Sequence, residues 1–243
     1  MESDLARRAS LSIADLADLR LLQLADSAFP IGGLAHSFGL ESLVSEGMLA
    51  TGDLPGFLQG YLEEAGMLET VFCRGALRLI SVGEAKFSLA RWVEINDRLS
   101  ALRPARESRA GSASLGRNFL VAVLGLGEFP LLREALQAST QSASLVHHST
   151  AFGLAGGVLA LDEDRAVLAY LHQSTASLVS ACQRLLPLGQ SEAMRILWNL
   201  KPAIIETANR SAACALDDAC CFMPLLDWGA MEHPALSTRL FIS

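Results

Sequence analysis

The chain has 243 residues, 51% hydrophobic and 19% charged, with a formal net charge of −7. That length can bury a real core within one domain. The acidic balance (pI near 5.2), with no basic stripe to neutralise phosphates, argues against a nucleic-acid partner. A mean hydropathy of +0.34 is high and fits either a membrane protein or a chain that keeps apolar surface for partners. The longest apolar runs, Phe119 to Gly127 and Ala151 to Leu161, fall short of the roughly 18–20 residues a spanning helix needs. The opening MESDLARRAS has two arginines but no apolar stretch behind them, so no secretory signal is expected. Five cysteines with no CxxC spacing read as reduced, cytoplasmic usage, and no metal site or cofactor is expected.

In chain order, residues 1–10 read as a flexible start. Ser12 or Asp15 can cap a first helix carrying Leu16, Leu19 and the Leu21 to Ala25 group. Ala28-Phe29 then meets Pro30, which disfavours helix in the residue before it and lacks a backbone donor. Gly32-Gly33 admits a positive φ or the close approach of another backbone. Leu34, Phe38, Leu40, Glu41 and Leu43 restart a helix, and Gly47 is a natural stop. Asp53 can cap a helix whose apolar positions run from Leu54 through Leu68 to Ile80, ending near Gly83. Another helical pattern covers Phe87 to Leu99, interrupted at Pro104, and an apolar stripe follows from Leu115 to Leu126.

A short helix is expected from Leu131 to Ser139, with Ser139 to Ser142 as a loop. Leu145 to Leu161 reads as a deeply buried helix in which Gly153, Gly156 and Gly157 let a neighbour come close. Asp162 can cap the clearest amphipathic helix, with apolar positions from Val167 to Leu186. Pro187-Leu188-Gly189-Gln190 ends it, Ser191 can cap the next helix, and Pro202 should kink the chain. Strand patterns are scarce. The expectation is an all-α chain: a single compact multi-helix domain of about ten helices over residues 11–230, with flexible termini and a tail at 231–243.

Catalytic motifs are wanting. No GxxxxGK[ST], strand-borne GxGxxG, HExxH or Gly-x-Ser-x-Gly is present. His36 is a lone histidine on a mostly apolar stretch, a setting more often packed or hydrogen-bonded than metal-bound. His147 and His148 are adjacent, so on a helix they project about 100° apart and cannot comfortably share a metal. A helical enzyme with a buried His147/His148 site is the competing hypothesis. A membrane-peripheral helical protein is a third, suggested by hydropathy alone.

The opening segment carries a resemblance. Asp26 to Gly33 (DSAFPIGG), followed by His36-Ser37-Phe38-Gly39-Leu40-Glu41, closely resembles the signature of the urease accessory protein UreF family. Arg106-Glu107, Arg109 and Leu115-Gly116-Arg117 resemble that family's arginine-bearing helix and the Gly-Arg after it. Pro187, Gly189 and Gln190 sit in a Pro-Leu-Gly-Gln like the family's own. In the tail, Met231, His233, Arg239, Leu240, Phe241 and Ser243 match the family pattern, while Pro234, Thr238 and Ile242 depart from it.

The resemblance implies an all-helical, non-enzymatic accessory protein for nickel insertion into urease, dimeric in its complex. It implies as partners a UreD/UreH-type scaffold, the UreG GTPase and apo-urease, with GTP-linked nickel delivery as the process controlled. Pro30, Gly32, Gly33, His36, Ser37, Gly39 and Glu41 are then candidate partner or dimer contacts, with Arg106, Glu107, Arg109, Arg117, Pro187, Gly189, Gln190, Arg239, Leu240 and Phe241. The arginines suit bidentate pairing with carboxylates at an interface. The apolar tail residues are expected to be ordered by a partner.

Overall fold

A computed structural model describes residues 13–81 and 87–243. Expectations for residues 1–10 and for a helix end near Gly83 lie outside them. The described chain is all-α, with no strand among the described residues. Its helices are α1 (Ile13–Leu24), α2 (Leu40–Ser45), α3 (Leu54–Tyr61), α4 (Met67–Ser81), α5 (Leu89–Ala101) and α6 (Arg106–Leu124). Then come α7 (Pro130–Gln141), α8 (His148–Val158), α9 (Glu163–Leu185), α10 (Gln190–Asn199), α11 (Lys201–Ala213) and α12 (Pro224–Glu232). A π-helical stretch, Leu62–Gly66, joins α3 to α4 without a break. No described helix is long and apolar enough to cross a membrane.

The centre is α8, where every residue from His148 to Gly156 is buried. It packs chiefly against α4 and α6. Glycines make this possible. A Cβ on Gly153 would land on the backbone of Cys73, and one on Gly157 would reach the Leu77 carbonyl of α4. On the other side, a Cβ on Gly116 of α6 would meet the backbone of Val146 and His147. Backbones this close gain dispersion contact that longer side chains would hold apart.

Polar side chains tie the outer helices to this centre. Trp92 of α5 is fully buried and donates its indole N–H to the Ala135 carbonyl at 3.0 Å and to Ser139 Oγ at 2.9 Å. Asn96 Oδ1 accepts from the His147 backbone N–H at 3.0 Å and from the Thr150 hydroxyl at 2.6 Å. A side chain from α5 therefore satisfies donors at the start of α8, the work of a cap done from a distance. Arg74 of α4, almost wholly buried, donates to Ser211 Oγ (3.0 Å), the Ala208 carbonyl (2.9 Å) and Glu163 Oε1 (2.6 Å).

Several element boundaries differ from the sequence reading. The segment Ser139 to Ser142 is not a loop from its start. α7 runs through Gln141, because Ser139 faces inward and accepts from Trp92. Gly189, not Ser191, occupies the N-cap of α10. α8 begins at His148 rather than Leu145, where the Asn96 contact fixes its first turn. Asp162 caps α9 as expected, accepting from the Arg165 N–H at 2.9 Å. Pro202 falls in the first turn of α11, where a missing N–H costs nothing.

Gly153→Ala should test the central packing. Alanine gains about 1 kcal/mol of helix propensity over glycine. Overpacking against a backbone carbonyl that cannot rotate away costs about 1–3 kcal/mol and should win. A lowered denaturant midpoint is expected, while Gly60→Ala, within α3 and with open space at its Cβ, should raise it by the propensity gain of up to about 1 kcal/mol.

Candidate functional site

The connector after α1 is built from local turns. Asp26 Oδ1 accepts from the Ala28 N–H at 2.8 Å, and Pro30 follows on the surface. Gly32 has φ 83°, a region L side chains rarely enter, and it opens a single 3₁₀ turn, Gly33–Ala35. Gly39 has φ 96° and lies against α12, where an added Cβ would come within 2.7 Å of the Ala230 nitrogen and the Leu226 carbonyl. Gly33 has neither constraint, since only its neighbour Ile31 lies near an added Cβ. The doublet's steric demand therefore rests on Gly32, with Gly39 more tightly bound still.

The C-terminal tail closes over this connector. The Ile242 N–H donates to the Ala35 carbonyl at 2.8 Å. The main-chain oxygen of Ser243 accepts from the N–H groups of Ser37 (2.5 Å) and Phe38 (3.2 Å). His36 Nδ1 pairs with Ser243 Oγ at 2.7 Å. Glu41, buried at the start of α2, is the anchor. Its carboxylate accepts from the Leu240 N–H (2.6 Å), the Phe241 N–H (3.1 Å) and His233 Nε2 (2.9 Å). The opposite ring nitrogen of His233 faces Glu107 Oε2 at 2.7 Å, which links the tail to α6. Arg239 lies 3.8 Å from Glu107 Oε1. Arg184 of α9 donates to the carbonyls of Leu34 (2.7 Å) and Leu240 (3.3 Å) and stacks over the Phe241 ring at 4.1 Å.

The profile of the UreF family matches residues 50–201. The chain belongs to the UreF family. It is 31% identical over 226 residues to a urease accessory protein UreF of Bradyrhizobium sp. (strain BTAi1 / ATCC BAA-1182), covering 92% of this chain and 91% of the relative. It is likewise 31% identical over 232 residues to a urease accessory protein UreF of Corynebacterium glutamicum (strain R), covering 93% and 98%. For the urease accessory protein UreF of Trichormus variabilis the identity is 30% over 236 residues, covering 96% and 99%.

In this UreF-family chain the candidate contacts fall into three groups. Gly32, Gly33, His36, Ser37, Gly39 and Glu41 are brought together with Glu107, Arg239, Leu240 and Phe241 at the tail junction. Arg106 is exposed on α6, lining a surface hollow with Met231 and Pro234, and Arg117 is exposed a few turns further along. Arg109 turns inward on its own chain and donates to the Arg103 and Pro104 carbonyls. Pro187, Gly189 and Gln190 form the surface turn between α9 and α10, where Gln190 Oε1 accepts from Gln183 at 2.7 Å.

Sequence reasoning missed Arg184 and left His233 without a role. An arginine late in an amphipathic helix carries no signal of a tail docked far away in sequence. Phe241, expected to await a partner, is buried by the chain itself, whereas Leu240 and Ile242 stay exposed.

His147 and His148 diverge as the helix geometry requires. His147 is held on both ring nitrogens, by Ser100 Oγ at 2.7 Å and Ser112 Oγ at 3.1 Å. His148 packs among Phe119, Phe152 and Tyr170. Burial, then the charges of Arg103 and Arg109, pull His147 down to about 3. Burial, then Arg103, pulls His148 down to about 4. Among the described residues no group of three or more His, Cys, Asp or Glu side chains converges on a metal position. All five cysteines are free, and burial pushes the Cys73 thiol up to about 12.

Two outcomes follow from these contacts. Glu41→Gln leaves one carbonyl oxygen for three donors and should cost about 1–3 kcal/mol. Hydrogen exchange should then lose protection at Leu240 and Phe241 while α8 amides stay protected; loss spread evenly over both would contradict the anchoring role. For the histidines, the unfolded chain titrates near 6.5 and the folded chain far lower. Stability is therefore full above about pH 6.5 and falls as pH drops toward 4, by up to about 1.4 kcal/mol per pH unit for each ring. His148→Phe, which keeps an aromatic ring in place, should remove that residue's share of the slope in denaturation series across pH.

Proposed function

We propose that this UreF-family chain serves maturation of the urease nickel centre as a cytoplasmic, non-enzymatic bridge. It joins a UreD/UreH-type scaffold to the UreG GTPase, acts as a dimer in that complex, and modulates GTP-linked nickel delivery to apo-urease. The observation that supports this reading most is the exposed apolar rim of the tail junction. Leu240 (58% exposed) and Ile242 (69%) stand out from the docked tail, with Leu34 (50%) on the connector and Met231 (52%) on α12. Large apolar side chains left exposed on the segments that meet at this junction form the kind of surface a protein partner covers. The family signature lies directly beneath it.

The decisive experiment expresses urease with its accessory set and replaces this protein by the double variant Leu240→Asp/Ile242→Asp. Both side chains are exposed, so the melting temperature of the isolated chain should move by no more than a few degrees. Co-purification with the UreD-type partner, and with it the nickel content and activity of urease, should fall at least about tenfold. Normal nickel loading with the double variant would remove the tail rim from the bridging surface. Normal loading with this protein omitted altogether would overturn the reading itself.

A further inference from the structure

Three of the five cysteines fall in one short stretch, CALDDACC from Cys214 to Cys221, between α11 and α12. The other two, Cys73 and Cys182, are fully buried, and burial pushes both thiols up to about 12, which withholds them from exchange at neutral pH. Thiol chemistry in this chain is therefore confined to one connector.

That connector runs out and back around the 3₁₀ turn Leu216–Asp218. Ala215 and Ala219 are extended on either side of it (φ −79°, ψ 154° and φ −68°, ψ 125°). The Ala215 carbonyl accepts from the Asp218 N–H at 3.1 Å, and the Leu216 carbonyl from the Ala219 N–H at 3.4 Å. Cys214 and Cys220 are the next residues out on the two arms. The turn itself is fixed to the core. The Leu216 side chain lies over Gly75 of α4, and Arg98 of α5 donates to the Leu216 carbonyl at 3.0 Å and pairs with Asp217 at 2.7 Å.

The three sulfurs are not equivalent. Cys220 is exposed, while Cys214 and Cys221 are half-buried. Burial, then the charges of Asp218 and Cys220, push the Cys214 thiol up, so Cys214 senses Cys220 and not Cys221. Cys221 faces other groups: burial, then Asp227 and Glu64, push it up to about 11. A bridge between the neighbours Cys220 and Cys221 is also poor geometry, because adjacent Cα atoms are about 3.8 Å apart and disulfides usually need more than about 4.4 Å.

We propose that Cys214 and Cys220 form a reversible disulfide by exchange with glutathione disulfide. The exposed Cys220 gives up its proton, and its thiolate attacks one sulfur of glutathione disulfide. That S–S bond breaks, and the departing glutathione thiolate takes up a proton. The Cys214 thiolate then attacks the Cys220 sulfur of the mixed disulfide and releases the second glutathione. Two protein thiols are oxidised to one disulfide while one glutathione disulfide is reduced to two thiols. The bridge ties the end of α11 to the chain entering α12. It does not rest on the bridging role, since neither cysteine lies on the tail.

The test incubates the full chain with millimolar glutathione disulfide, alkylates the remaining thiols in denaturant and digests with a protease that cuts before aspartate. Cleavage at Asp217 and Asp218 leaves Cys214 and Cys220 on different fragments, joined only where a bridge has formed. The chain should become lighter by two hydrogen atoms and carry no glutathione. The two fragments should run as a linked pair that a dithiol reductant separates, with Cys221, Cys73 and Cys182 alkylated. Cys221→Ser should form the same link, and Cys220→Ser should not. If either variant does not fold, the fragment map of the parent chain decides. Glutathione retained on Cys220, a link through Cys221, or thiols left free would each overturn the proposal.

Discussion

The near-contact of α8 with the backbones of α4 and α6 is the constraint on which the remaining arrangement rests. Gly153 and Gly157 bring α8 onto α4, and Gly116 brings α6 onto the chain entering α8. Each is a place where one carbon atom would force two helices apart. Because the helices meet at backbone distance, side chains projecting from their margins are held at fixed separations. Arg74 can then reach Glu163 and the end of α11, and Asn96 can reach the first turn of α8. A seam of small residues thus sets the reach of large ones.

The tail junction depends on a different economy. Glu41 is a buried carboxylate that accepts from three donors, two of them backbone N–H groups of the tail. Burying a charge is costly unless it is fully hydrogen-bonded, so the site is favourable only when the tail is in place. Were the tail undocked, its N–H groups would return to water and the buried carboxylate would lose its partners. Connector and tail complete each other, and Gly39, pressed against α12, fixes the distance between them.

Much of the fold was legible because its signals are local. Asp162 announces α9 by its side chain, and the apolar spacing from Leu54 onward marks a helix without any neighbour being known. The membership in the UreF family was legible for the same reason, since the signature is contiguous. Contacts between distant segments were not. Ser139 reads as polar loop until the Trp92 indole is seen to point at it. Gly33 and Gly32 are indistinguishable in sequence, and only the observed φ separates them. The docking of Phe241 under Arg184 joins positions that no periodicity connects. What went unread was pairing across the chain, where one residue's meaning depends on another far away.

The π-helical stretch between α3 and α4 has a consequence for how the chain tolerates change. A π turn carries one residue more than an α turn, and π-bulges cluster at functional sites. Here it lies at Leu62–Gly66, with the Leu62 carbonyl accepting from the Thr207 hydroxyl at 3.3 Å. The extra residue acts as a phase shifter within one unbroken helix. It lets Leu54 and Leu58 face the core on one side while Glu69 and Phe72 keep their own alignment on the other. A π turn uses about one residue more than an α turn for nearly the same rotation, so deleting one residue there closes the stretch into a regular α-helix with the flanking faces close to their present alignment. Making the stretch α-helical at unchanged length would instead turn Leu54 and Leu58 by about 100° relative to Glu69 and Phe72, so this stretch should tolerate the loss of one residue better than the gain of one.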